Sequence, residues 1–174
     1  MKKFITTLYL SASFFLISCN KDPKTNVLVV DIDAVIQTTD SINTYYTTNN
    51  SIEFNDPQSF WTKVKGSKKN QKIQITFPDS IQPNQIRLDF GRNIKQPEII
   101  VNEMKFSYKK KSFDAKGEEV YFLFRVDESN TTVNKLTGSL KRKEKTQIVG
   151  PSLYPNGDKL YKKLNQLYSE KLHK

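Results

Sequence analysis

The chain has 174 residues, with 28 Lys or Arg against 18 Asp or Glu and a formal net charge of +10, and this length is typical of one domain. Its one Cys excludes a disulfide framework and a Cys-based zinc cluster. Its one His argues against a Ser-His-Asp triad and a multi-His metal site. Hydrophobic residues make up 36% of the chain, which excludes a polytopic membrane protein, while 8 Tyr and 11 Phe argue against disorder.

The first element of the chain is an apolar segment that follows two positively charged residues. Lys2 and Lys3 precede an uncharged, largely apolar run over residues 4–17. This run has the length of the apolar region of a secretory signal, and a membrane-spanning helix needs about 20 residues. The sequence therefore predicts a signal peptide over residues 1–18.

A single cysteine follows this segment directly. The residues Leu16-Ile17-Ser18-Cys19 resemble the lipobox of bacterial lipoproteins. The resemblance implies cleavage before Cys19 and acylation of Cys19, which then attaches the protein to a membrane. Each buried CH₂ contributes about 0.8 kcal/mol, and two or more acyl chains give stable anchoring. The alternatives are an ordinary signal peptide with a coincidental cysteine and an uncleaved signal anchor.

Residues 19–26 are expected to form the lipidated cysteine and a polar tether. Residues 19–24 resemble the surface-export signal of some Gram-negative lipoproteins, except that Pro23 stands where a second acid is usual. The alternative is an ordinary tether. The expected location is the bacterial cell envelope, as an outer-membrane lipoprotein on its periplasmic or surface-exposed face.

Residues 27–174 are predicted to form one domain that is mainly β. Period-2 alternation or β-branched runs, bounded by turn signals, predict strands. These strands cover residues 27–33, 42–47, 60–65, 71–77, 85–90, 98–108, 118–127 and 133–143. Short strands without intervening helices predict an antiparallel β-sandwich or barrel.

Only the C-terminal segment shows a helical pattern. Leu160, Leu164, Leu167 and Tyr168 lie on one face at helical spacing. This predicts an amphipathic helix at about 157–172. We expect its leucines to dock on the sandwich, and the alternative is a helix that binds a partner or a membrane surface.

Residues 39–106 carry a family resemblance. The matching features are Tyr45-Tyr46, Ser59 before 60–66, the strand 73–77, Ile86-Arg87-Leu88-Asp89 and Glu98-Ile99-Ile100-Val101. In these features the chain resembles the jelly-roll-like β-sandwich domain of bacterial membrane glycosyltransferase-type proteins, although Phe90-Gly91 departs from the Pro-Gly turn common there. The resemblance implies a fold similar to carbohydrate-binding jelly rolls, and a fold alone does not establish function.

Five residues are candidate ligand contacts. Tyr45, Tyr46 and Trp61 supply rings that can stack on sugars. Alternation places Tyr45 and Tyr46 on opposite faces, and a tryptophan in a sandwich is by default buried. Arg87 and Asp89 share one face of a strand and could hold a ligand hydroxyl. Their alternative role is an ion pair across strands that fixes the register.

Catalytic and metal signals are weak. Asp31 and Asp33 share a strand face, where a structural Ca²⁺ is one interpretation and a solvated face is the other. Glu118-Glu119 and Asp127-Glu128 are neighbours that would face opposite sides of a strand, whereas glycosidases need two converging acids. We expect no cofactor, no metal and no enzymatic activity, with a polysaccharide-active enzyme as a minor alternative.

Two basic clusters, residues 109–111 and 141–145, offer contacts to anionic headgroups or acidic glycans, or are solvated strand ends. Nucleic acid is not an expected partner of an envelope protein. The sequence thus favours a lipid-anchored, non-catalytic binding or accessory module, with glycan as its candidate ligand. The alternative is a structural or assembly lipoprotein that contacts another envelope protein.

Overall fold

The computed structural model describes residues 26–169, so the predicted signal peptide and Cys19 lie outside the described residues. Within this range the chain has eleven strands and two α-helices. The strands are β1 (Val29–Ile36), β2 (Asp40–Thr47), β3 (Ser59–Val64), β4 (Gln71–Thr76), β5 (Gln85–Phe90), β6 (Ile99–Tyr108), β7 (Lys111–Lys116), β8 (Phe124–Val126), β9 (Thr131–Val133), β10 (Leu140–Arg142) and β11 (Ser152–Pro155). The helices are α1 (Glu118–Leu123) and α2 (Lys159–Tyr168).

The strands form two antiparallel sheets, which confirms the predicted β-sandwich. A six-stranded sheet has the order β4-β1-β6-β10-β9, and β7 also pairs with β6. A five-stranded sheet has the order β3-β2-β5-β11-β8. The chain passes repeatedly from one sheet to the other, as in jelly-roll folds.

Strand alternation builds the core between the sheets. In β1, every second side chain from Val30 to Ile36 is buried, and in β5 Ile86, Leu88 and Phe90 are buried. Burial of one such side chain stabilises the fold by about 1.5–3 kcal/mol. Because side chains of a strand point alternately to opposite faces, Arg87 and Asp89 must face away from this core.

The C-terminal helix docks on the sandwich as predicted. Helix α2 covers residues 159–168 of the predicted range 157–172, and residues 170–172 of that range lie outside the described residues. Leu160, Leu164 and Leu167 are buried in the common core. The ring of Tyr168 meets the Tyr108 ring edge-on at 5.1 Å.

The strand predicted over residues 118–127 is wrong for its first half, which is helix α1. Gly117 has a φ of 53°, a conformation that a glycine adopts without strain. The Lys116 amide donates to the Glu119 carboxylate at 3.0 Å, which supports the first turn. Val120 and Leu123 are then buried at a spacing of three residues, a helical period that apolar content alone does not distinguish from a strand.

The strand predicted over 133–143 is also interrupted. Asn134 and Ser139 close a turn between β9 and β10, with Asn134 N donating to Ser139 O at 2.9 Å. Two short strands, β7 and β11, lie outside the predicted ranges. Of these, β11 matters most for the site, because it lies beside β5 in the centre of the five-stranded sheet.

Candidate functional site: the outer face of the five-stranded sheet

One solvent-side surface collects most of the predicted ligand residues. Strand register pairs Tyr45 with Arg87 and pairs Asn43 with both Asp89 and Trp61. Tyr154 of β11 pairs with Arg125 of β8 on the same side. We call this surface the outer face; it comprises Asn43, Tyr45, Trp61, Arg87, Asp89, Arg125 and Tyr154.

Arg87 and Asp89 form a bidentate ion pair in the middle of the outer face. Arg87 Nε donates to Asp89 Oδ1 and Nη2 donates to Oδ2, both at 2.8 Å. Their side chains are 19% and 7% exposed. Burial lowers the pKa of Arg87, but the hydrogen bond and negative charge of Asp89 outweigh it and raise that pKa. The pair lies within one strand, so the expected cross-strand ion pair is not formed.

The guanidinium of Arg87 lies between two tyrosine rings. Its central carbon is 4.9 Å from the centre of the Tyr45 ring and 4.4 Å from that of Tyr154. Arginine favours such stacking because its planar cation is weakly hydrated. The ion pair with Asp89 therefore fixes the positions of both rings.

Polar contacts at the rim hold the same rings. The Tyr45 hydroxyl donates to Asp56 Oδ1 at 3.1 Å. Burial, this hydrogen bond and the Asp56 charge raise the pKa of Tyr45, so the hydroxyl stays protonated. The Tyr154 ring meets Phe54 edge-on at 5.9 Å.

Trp61 extends the outer face to its edge strand. It is 45% exposed, and the Arg92 guanidinium lies 4.9 Å from its ring. The default expectation of a buried tryptophan is therefore wrong. The inward position beside it belongs to Phe60, whose ring packs against Phe77 at 5.2 Å.

Tyr46 does not belong to the outer face. Its ring packs edge-on against Phe77 at 5.9 Å, in the space between the sheets. The predicted opposite orientation of Tyr45 and Tyr46 is confirmed. Tyr46 is consequently a packing residue, and its candidacy as a ligand contact is corrected.

Three residues of the outer face were not predicted. The Arg125 guanidinium lies 5.1 Å from the centre of the Tyr154 ring. These two residues lie on β8 and β11, and the sequence does not predict that these strands pair. Asn43 precedes Tyr45 by two residues, and this spacing alone indicates a shared face. Its Oδ1 is buried and has no hydrogen-bond partner, so it is an unsatisfied polar atom beneath the outer face.

The other predicted polar sites are dispersed. Asp31 Oδ1 accepts a hydrogen bond from Gln74 Nε2 at 3.1 Å on the six-stranded sheet. Glu118 and Glu119 lie in the first turn of α1. Among residues 26–169 there is no group of three or more His, Cys, Asp or Glu side chains placed to hold a metal ion. In the same range no helix is long and apolar enough to cross a membrane.

No protein-family model, no curated protein and no solved structure matches this chain. The lipobox resemblance and the sandwich-domain resemblance therefore stay predictions.

Proposed function

We propose that the protein is a lipid-anchored cell-envelope protein whose sandwich is a non-catalytic glycan-binding module. The observation that carries this proposal is the outer face. Three of its side chains, Tyr45, Trp61 and Tyr154, present aromatic rings on a single sheet surface, with arginines stacked on each of them.

The chemistry of the outer face suits a sugar. Sugar rings pack their C–H surfaces on aromatic side chains, and their hydroxyls need donors and acceptors close by. The partly exposed Trp61 supplies the ring, and the Tyr45 hydroxyl, which donates its proton to Asp56, supplies an acceptor. Asp89 uses both oxygens on Arg87, so we assign that pair the positioning of Tyr45 and Tyr154.

Replacement of Trp61 tests the stacking surface. We expect Trp61→Ala to weaken glycan binding about tenfold, because the ring contributes both buried area and stacking. Affinity electrophoresis through gels that contain soluble polysaccharides measures the change. Phe122→Ala is the matched control, since Phe122 is an exposed aromatic on α1. Equal retention of Trp61→Ala and the native protein, with the fold intact by circular dichroism, would contradict the assignment.

The anchor is proposed from the lipobox alone. The tether of residues 20–26 spans at most about 25 Å when fully extended, so acylation of Cys19 would keep the sandwich at the membrane surface. Lipid attachment at Cys19 and the signal peptide are the two sequence features that support a location in the cell envelope.

Cys19→Ala tests the anchor. We expect this variant to move from the membrane fraction to the soluble fraction, because no thiol remains for acylation. Ser18→Ala, which keeps a small residue before the cysteine, should stay in the membrane fraction. Fractionation followed by immunoblotting provides the measurement, and a cleaved Cys19→Ala protein that remains membrane-bound would rule out the anchor.

A second candidate function is assembly with another envelope protein. One observation favours it: Leu136, in the turn between β9 and β10, is 96% exposed. Such a side chain offers apolar area that a protein partner would remove from water. The leucines of α2 do not contribute to such a surface, because they are buried against the sandwich.

A further inference from the structure

Arg142, a partly exposed residue at the end of β10 in the six-stranded sheet, has buried guanidinium nitrogens without a hydrogen-bond partner. Leu140 of β10 is fully buried, and Arg142 follows two residues later on the same side of the strand. Strand alternation therefore directs Arg142 inward. Its Nε, Nη1 and Nη2 are all buried, and none has a hydrogen-bond partner.

This arrangement is unfavourable without an anion. A guanidinium carries five N–H donors, and a buried charge without a partner costs stability. Burial lowers the pKa of Arg142, and the negative charge of Asp40 opposes that effect. The Asp40 carboxylate is already bound, since its oxygens accept the backbone N–H groups of Ser41, Arg92 and Asn93.

Arg142 lines a basic groove of about 530 Å³. Lys141, Lys143 and Lys145 line the same groove, whereas its one lining acid is Glu98. Glu98 is paired with Lys141 at 3.5 Å, and its Oε2 also accepts the Ser139 hydroxyl at 2.6 Å. Three cations of the groove thus have no carboxylate partner among its lining residues.

The interpretation of cluster 141–145 as a solvated strand end holds for Lys141 but not for Arg142.

The groove also lies away from the tether. Leu140 pairs with Ile99, which pairs with Ile36 at the end of β1. The tether joins β1 at its beginning, near Val29, about 24 Å away along the strand.

We propose that this groove is a binding site for a tetrahedral oxyanion, a phosphate or sulfate group, with Arg142 as its central ligand. Such a group offers several acceptor oxygens to the guanidinium, and it bears enough charge to balance more than one of the surrounding cations. This site is separate from the outer face and goes beyond the proposed glycan binding.

The test uses residues 20–174, which include the whole described core. Calorimetric titration and thermal unfolding are measured with inorganic phosphate, sulfate and methyl phosphate, and NaCl keeps the ionic strength constant. We expect each bound anion to raise the melting temperature. Arg142→Met should weaken binding at least tenfold. Without any anion it should melt at a higher temperature than the native protein, because an unpaired buried charge is removed.

Two further variants keep the test decisive. Arg142→Lys keeps the charge but loses the planar fork, and we expect its anion affinity to lie between those of the native protein and Arg142→Met. If Arg142→Met does not fold, Arg142→Lys alone provides the test. Lys68→Gln removes an exposed positive charge in the turn between β3 and β4, and its affinity should equal that of the native protein.

The anions distinguish the source of the group. Tighter binding of methyl phosphate than of inorganic phosphate supports a phosphate ester, and tighter binding of inorganic phosphate supports free phosphate. Preference for sulfate supports a sulfate ester. Absence of binding for all three anions, or equal binding by the native protein and both Arg142 variants, would overturn the proposal.

Discussion

Gly150→Ala should reduce the free energy of unfolding by about 3 kcal/mol, because the added methyl group has no space. A Cβ at Gly150 would lie 1.8 Å from the carbonyl oxygen of Phe90 and 2.5 Å from its carbonyl carbon. Both atoms belong to the backbone of Phe90, the last residue of β5. No side-chain rotation therefore relieves the clash. The loss is large relative to the 5–15 kcal/mol typical of a domain.

The same substitution disturbs the outer face. Gly150 N donates to Gly91 O at 2.8 Å, and Phe90 N donates to Pro151 O at 2.8 Å. These bonds bring β11 beside β5, which places Tyr154 against Arg87. We therefore expect the folded fraction of Gly150→Ala to bind glycan less tightly than the native protein.

Gly138→Ala is the matched control. Gly138 has a φ of 66° and nothing within 4 Å of an added Cβ, so its cost is backbone strain of about 1 kcal/mol. Urea unfolding followed by Trp61 fluorescence measures both variants. Equal losses for Gly150→Ala and Gly138→Ala would show that the close approach at Gly150 is not a constraint.

Asp89→Ala is the second substitution with a large expected effect, about 3 kcal/mol of unfolding free energy. It leaves the Arg87 guanidinium, which is 19% exposed, without its carboxylate partner. Loss of one member of a buried ion pair is strongly destabilising, because the remaining charge is not compensated. The rings of Tyr45 and Tyr154 also lose the fixed cation between them.

Asp114→Ala is the control for Asp89→Ala. Asp114 pairs with Lys116 at 3.3 Å, but both side chains are about half exposed. Such a surface pair contributes about 0.5 kcal/mol or less. The double variant Arg87→Met/Asp89→Ala should recover part of the lost stability, since it removes both charges. An Asp89→Ala loss no larger than that of Asp114→Ala would refute the positioning role.

The sequence predicts the fold where alternation is regular. The predicted bounds of β5 are the same as those in the structure because inward apolar and outward polar residues alternate between Gln85 and Phe90. The failure at α1 has a physical cause: a buried helix turn and a buried strand both show closely spaced apolar residues. The short strand β11 has only four residues, too few for a periodic pattern.

The candidate site is predictable in part. Alternation assigns Tyr45, Trp61, Arg87 and Asp89 to faces of their own strands, but strand order decides whether these faces coincide. Tyr154 could not be predicted as a site residue from the sequence, because the sequence did not predict its strand, β11. Arg142 illustrates the opposite case, since its position two residues after Leu140 already indicates an inward side chain.

The central claim is that the outer face binds glycan, and a glycan-array screen of residues 20–174 at low and high salt tests it most directly. Trp61→Ala and Phe122→Ala are screened in parallel. The account predicts binding to a defined neutral sugar that is insensitive to salt, weakened about tenfold in Trp61→Ala and unchanged in Phe122→Ala. No binding to any glycan, or binding only to acidic glycans that disappears at high salt and is unchanged in Trp61→Ala, would contradict it.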